Sequence, residues 1–366
     1  MKMSDNSSIK TYWGQLFSKR YWREVEFGLP PKDPWAPTSE MLAYQFNTKI
    51  PAKITGEPTS QSMTVLQNAA CLEVADGRYA RRGFGGMMFT LLLIPLLFAD
   101  GLALLAVLSN RFDSVFFSLF MIFFLAVISV PLLFMIGYQW KQEMWGYTYK
   151  PIRLIRSTRK VHVFQHNGPG GVWTLDWDKL IFCVKKGGLL WGVLGYLPDA
   201  NGQVTHAFYL GAHLPAGSNG VGPDEPVLAH WEYFRRYMEE GPASVPTPEI
   251  LLPINNRREP FLYGVQRLWG MFGPLSVVFL PVTTLAGVFR WIAMRLSRLP
   301  CWPAEVEAEC RVAPDDATPQ PVPMGAAATD RAYVGIGTLL ILTLDVALFW
   351  LLLTRVFGIG RLFTIG

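Results

Sequence analysis

Charged residues are scarce in this chain, at 17% of 366 residues, against roughly 25% in an average soluble domain. The apolar share, 51%, exceeds the ordinary value by less than the charge falls short of it. That mismatch points to concentrated apolar runs and excludes a purely soluble protein. Four cysteines are too few for a disulfide scaffold. The 33 glycines and 27 prolines follow no period, which excludes a collagenous or low-complexity chain. No apolar h-region lies in the first 30 residues, so no secretory signal peptide is expected there. Catalytic motifs are missing too. There is no G-x-S-x-G, H-E-x-x-H or Walker sequence, and Gly83-Phe84-Gly85-Gly86 precedes an apolar run instead of following a strand.

The apolar residues gather in runs at 87–108, 115–138 and 333–354, each of 22–24 residues, enough to cross a hydrocarbon core of roughly 30 Å as a helix. A further segment, 268–289, is interrupted by Pro274 and Pro281. It either spans as a kinked helix or enters and leaves on one side. Lysine and arginine orient these segments. Residues 1–83 hold 11 of them and residues 139–268 hold 14, while the turn 109–114 holds only Arg111. The first pair of helices is therefore a hairpin with both ends in the cytoplasm. If 268–289 crosses, 290–332 lies outside and the C-terminus returns to the cytoplasm. Arg290, Arg295 and Arg298 sit on the wrong side for that path, whereas Arg355 and Arg361 favour it. Four spans is the reading adopted.

The chain then divides into a cytoplasmic N-terminal region (1–83), a transmembrane hairpin (84–140), a cytoplasmic β-rich domain ending in a helix (141–262), a third membrane segment (263–293), a loop (294–332), and a fourth helix with a basic tail (333–366). The fold class expected is an α+β membrane protein. Within 9–25, Ile9, Tyr12, Trp13, Leu16, Phe17 and Tyr21 share one helical face flanked by basic residues, which suits a membrane surface or packing on a soluble domain. Pro30, Pro31, Pro34 and Pro37 follow as a stiff linker. Residues 160–166 (KVHVFQH) alternate as a half-buried strand does, and Asn201-Gly202 is a hairpin signal between two strand-like runs. Residues 224–240 read as a helix burying Val227, Trp231, Phe234 and Met238. Strands closed by one helix look like a pleckstrin-homology-type barrel.

Candidate functional residues are few. Asp100 and Asp345 lie within predicted spans, where a carboxylate costs roughly 2.5–3.5 kcal/mol on insertion scales. Each is an ion-path residue or an interhelical hydrogen-bonding group. Arg153, Arg156, Arg159 and Lys160 follow the second span closely and fit contact with a membrane surface or anionic lipid. His162 and His166 would stand roughly 13 Å apart on a strand, too far to share a metal, so no metal or cofactor is expected. Charge is too modest, at a net +5, for nucleic acid to be an expected partner. Cys71 and Cys183 would be cytoplasmic thiols. Cys301 and Cys310 could pair outside the membrane only if the helix between them were broken, because nine helical steps span roughly 13 Å and a disulfide needs about 4.4–6.8 Å between Cα atoms.

Several pieces together carry a resemblance: Val65-Leu66-Gln67-Asn68, Cys71-Leu72-Glu73-Val74, Tyr79-Ala80-Arg81-Arg82-Gly83, Trp177-Asp178, residues 231–242 (WEYFRRYMEEGP) and residues 300–307 (PCWPAEVE). Over most of 60–310 the chain resembles an uncharacterised family of proteobacterial membrane proteins found near type VI secretion genes. The resemblance implies a bacterial inner-membrane location and a protein partner, an effector or secretion component. It assigns no chemistry to any residue. The function expected is that of a non-enzymatic membrane partner, an immunity or accessory factor; the alternative is a pore-forming or ion-conducting toxin.

Overall fold

The alternation of residues 160–164 becomes one strand of a sheet whose other members come from both sides of the first apolar hairpin. The structure is a computed structural model and describes residues 35–109, 114–187, 190–215, 224–250, 259–270, 280–311 and 322–323, with part of 332–354. The amphipathic segment expected within 9–25 and Asp345 lie outside the described residues. The chain forms two units: one comprises 1–80, 149–255 and 300–324, the other 81–148, 256–299 and 325–366.

In the first unit a short helix, α1 (Ser39–Ala43), precedes strand β1 (Gln45–Phe46). Strands β2 (Thr64–Gln67), β3 (Cys71–Val74), β4 (Ile152–Ile155), β5 (Lys160–Phe164) and β6 (Val172–Asp176) form an antiparallel sheet in sequence order. Period-two alternation sends Leu72, Leu154, Val161 and Leu175, which face one another across the strands, to the buried side. A second sheet pairs β1 with β7 (Ile181–Gly187), β8 (Leu190–Pro198) and β9 (Val204–Pro215). The β8–β9 turn falls where Asn201-Gly202 predicts it: Gly202 has φ +74°, and Asp199 Oδ1 accepts from the N–H groups of Asn201 and Gln203, both at 2.8 Å. The expected helix is Glu225–Glu239, termed α5 below after the three helices of the preceding segment, and it buries Val227, Trp231, Phe234 and Met238. Both sheets and this helix share one core. Trp231 stacks on Phe46 at 4.9 Å and on Trp177 at 6.0 Å between ring centroids. Removing an aromatic of this size from a core typically costs about 3–5 kcal/mol.

The segment that separates β3 from its neighbour β4 is helical: α2 (Gly77–Arg81), α3 (Phe84–Leu108) and α4 (Val115–Met144). The last two have 25 and 30 residues and are long and apolar enough to cross a membrane. They pack on each other, yet Phe98, Leu105, Phe116, Phe123 and Phe134 remain exposed. A soluble protein does not leave such a surface to water. At the base of the pair, Glu143 Oε2 accepts from the Gly86 and Gly83 N–H groups at 2.8 and 3.2 Å, which caps the N-terminus of α3. Gly83 is required there. Its φ is +91°, and a Cβ would stand 2.4 Å from the Arg290 backbone.

Of the segment 268–289, the described residues belong to two helices packed on each other, α6 (Phe261–Gly270) and α7 (Leu280–Leu296). Arg290 of α7, fully buried, holds Glu259 with Nε and Nη2 at 2.7 and 2.8 Å. One expectation needs correction: residues 294–332 are not a loop apart. Residues 301–311, including α8 (Ala304–Glu309), belong to the β unit, because Trp302, Glu307 and Cys310 find their partners on its five-stranded sheet. The described residues of 332–354 are helical, and Ile336, Leu339, Leu344, Trp350 and Leu351 among them are exposed.

Candidate functional site

The outer face of the five-stranded sheet carries a polar row. Glu73, Arg153, His162 and Thr174 stand directly opposite one another on β3, β4, β5 and β6, so the pleat brings their side chains to one side. Arg153 Nε donates to Glu73 Oε2 at 2.5 Å, and Arg153 Nη2 to Glu307 Oε1 at 3.0 Å. Trp302 covers the guanidinium at 4.7 Å, a cation–π contact, and donates its Nε1–H to Glu73 at 3.1 Å. His162 Nδ1 lies 3.0 Å from Thr174 Oγ1 and its Nε2 lies 3.4 Å from Glu309 Oε2. Helix α8 thus lays its carboxylates Glu307 and Glu309 over Arg153 and His162 of this polar row.

Burial pushes the Glu73 carboxyl up while Arg153 pulls it down. Burial also pushes His162 below the usual histidine range, against the opposing pull of Glu309. The neutral ring accepts from Thr174 and donates to Glu309. Beside the row, Cys71, Ile155 and Cys310 form a small apolar cluster. The hydrogen bond to Cys310 and burial push the Cys71 thiol far up, the condition of an inert thiol. All four cysteines are free. Cys310 meets Cys71 and not Cys301, because α8 separates the latter two. Among the described residues no group of three His, Cys, Asp or Glu side chains could hold a metal. Chemically the row is a set of charges engaged with one another, and what it does is hold the segment 301–311 on the sheet.

The basic cluster read from the sequence is taken apart by the fold. Arg153 is 5% exposed and serves the row, so contact with lipid is excluded for it. Arg159 binds Asp178 and Glu239 at 2.5 and 2.7 Å, tying the β5 entrance to the end of α5. Arg156 is exposed and Lys160 half-buried. Asp100, on α3, accepts from Ser129 Oγ of α4 at 2.9 Å, which is an interhelical hydrogen bond.

His230, which by sequence reads as a surface or strand-face histidine, lies instead fully buried on the helix α5. Its Nδ1–H donates to Thr59 O at 3.2 Å and its Nε2 accepts from the Ala212 N–H at 3.1 Å. Gly211, at φ +71°, permits that approach, since a Cβ there would stand 2.7 Å from Nε2. Glu73, Trp302, Glu307 and Glu309 were equally unmarked by spacing. Glu73 and Arg153 are 80 residues apart, and only the strand alternation of 71–74 hints that Glu73 faces away from Leu72.

A family model described as a family of unknown function, DUF6708, matches residues 128–314. No curated protein and no solved structure matches the chain.

Proposed function

The chain belongs to that family, DUF6708, and on that premise we propose that it is a non-enzymatic partner protein of the bacterial inner membrane, an immunity or accessory factor of a type VI secretion locus. The observation that carries the reading is the pair α3–α4, whose apolar side chains face outward over 25 and 30 residues. Lipid is the solvent such a surface needs. The β unit lies in the cytoplasm, because residues 139–268 hold 14 lysines and arginines against Arg111 alone in the turn between the helices. Two sheets closed by α5 give a pleckstrin-homology-like scaffold, a framework for binding more than for catalysis. Its buried charges are engaged in ion pairs, Glu73 with Arg153 between β3 and β4 and Glu232 with Arg235 within α5. Of the basic cluster, Arg156 and Lys160 remain for anionic headgroups. Four crossings with both termini in the cytoplasm would put 290–332 outside, whereas residues 301–311 belong to the β unit.

A pore-forming role rests on Asp100 and Asp345. The hydrogen bond from Ser129 gives Asp100 an interhelical task, which favours the partner reading. The test is co-production with the product of the adjacent gene in a sensitive host. Restored growth with the chain present supports the proposal, and growth arrest caused by the chain alone would sink it.

A further inference from the structure

Two of the four cysteines meet beneath the segment 301–311. Alternation along β3 sends Leu72 and Val74 into the core and leaves Cys71 on the outer face of the five-stranded sheet, opposite Ile155 of β4. Cys310 closes the C-terminal end of α8 and packs on both, with Leu66 at the margin. The two thiols are hydrogen-bonded to each other. The remaining cysteines are placed elsewhere. Cys183 is buried with Met41, Leu194 and Tyr196 against the second sheet, and Cys301 is exposed ahead of α8.

One side chain ties the two cysteine backbones together as well. Asn68 Oδ1 accepts the Cys71 N–H at 2.7 Å, and Asn68 Nδ2 donates to the Cys310 carbonyl at 3.4 Å. Asn68 is itself held: its N–H donates to Cys71 O at 3.0 Å, and its carbonyl accepts from Tyr237 Oη of α5 at 2.8 Å. A single carboxamide therefore spans from β3 to the end of α8, and a disulfide requires backbones that approach this closely. The other ties of 301–311 are weaker. Glu307, which meets Arg153, is 53% exposed, and Glu309, which meets His162, is 27% exposed. Ion pairs that open to water hold a segment only loosely. A covalent bond at Cys310 would lock the same contact.

We infer that Cys71 and Cys310 are a reversible modification site, a dithiol that becomes a disulfide by exchange with a small-molecule disulfide and so pins the segment 301–311 to β3. The exchange balances in two steps. Cys310 Sγ, the more accessible of the two, attacks a disulfide R–S–S–R, forms a mixed disulfide and releases one R–SH, which carries away the Cys310 proton. Cys71 Sγ then attacks the Cys310 sulfur, the bond to R–S breaks, and a second R–SH leaves with the Cys71 proton. Two protein thiols are oxidised and one small disulfide is reduced. Burial keeps Cys71 protonated, which makes the second step slow. The site therefore responds to sustained oxidation and not to a brief pulse.

The test uses the full chain in neutral detergent with Cys301→Ser, so that the tryptic peptide 299–311 holds a single cysteine. The chain is equilibrated in buffers of reduced and oxidised glutathione at graded ratios, quenched with acid, blocked with maleimide under denaturing conditions and digested without reduction. Peptide 54–78, which carries Cys71, should appear joined to 299–311 at oxidising ratios and separate again when dithiothreitol is added. Cys183 should be blocked by maleimide in every buffer. Amide hydrogen exchange across 301–311 should slow by about tenfold or more in the oxidised chain. A chain that keeps both thiols at every ratio would overturn the site. Cys310 recovered only as its glutathione adduct, or joined to Cys183, would overturn the pairing. A Cys71–Cys310 disulfide that leaves the exchange of 301–311 unchanged would overturn the pinning.

Discussion

The buried His230 should make the β unit less stable at mildly acid pH, and the size of the effect follows from its surroundings. The ring is fully buried, with both nitrogens engaged by backbone. Burial pushes its pKa down to about 4, against the weaker pull of the Thr59 and Leu210 carbonyls, from an ordinary value of about 6.5. Below 6.5 the unfolded chain takes up a proton that the folded chain refuses. Stability therefore falls as pH drops from 6.5 to 4 and changes no further from this group below that. Linkage gives a loss of about 2 kcal/mol at pH 5, growing to about 3 kcal/mol at pH 4. The assay is urea unfolding of the purified full chain in neutral detergent, followed by tryptophan fluorescence, for which Trp177 and Trp231 are core reporters. His230→Gln removes the titration, so the difference in pH dependence between the two proteins isolates this group from the carboxylates. Wild type should lose about 2 kcal/mol more than the variant between pH 7 and pH 5. Equal losses would refute the reasoning, because a ring that protonates freely in the fold contributes no linkage.

Other outcomes follow from the same geometry. Arg153→Ala leaves Glu73 buried without its cation and should cost about 3–5 kcal/mol, whereas the double change Arg153→Met with Glu73→Leu should recover most of that; urea midpoints of the three proteins decide it. Gly211→Ala places a methyl group against His230 in a left-handed backbone conformation and should cost about 1–3 kcal/mol by the same assay. Asp100→Asn should preserve membrane abundance and protection, while Asp100→Leu should lose an interhelical bond worth about 0.6–2 kcal/mol; immunoblots of membrane fractions report both. Alkaline phosphatase fused after Gly220 should be inactive and a fluorescent protein fused there bright, and the reverse pair would invert the orientation.

Much of the architecture was legible because it depends on local pattern. Long apolar runs announced α3 and α4, alternation announced β5, Asn201-Gly202 announced its turn, and the spacing of Trp231, Phe234 and Met238 announced α5. What escaped depends on contacts distant in sequence. No window of residues shows that β3 and β4 are neighbours across an inserted helical pair, or that Glu73 therefore meets Arg153. The acidic run 304–309 looked like a loop helix because its partners, Arg153 and His162, lie on a sheet about 150 residues earlier. The basic cluster misled for the same reason: adjacency in sequence put Arg153, Arg156, Arg159 and Lys160 together, and the pleat and the turn after β4 sent Arg153 and Arg159 to different partners while Arg156 stays exposed. Arg290 looked misplaced beside an apolar segment because hydropathy cannot see that it is paired inside with Glu259.

Membrane potential during controlled production of the full chain tests the central claim most directly, since a partner protein and a pore differ there before any partner is identified. A potential-sensitive dye should report no change as the chain accumulates in the inner-membrane fraction, and none with Asp100→Asn. Depolarisation that scales with the amount of chain in the membrane, and that Asp100→Asn abolishes, would contradict the account and make the carboxylate part of an ion path.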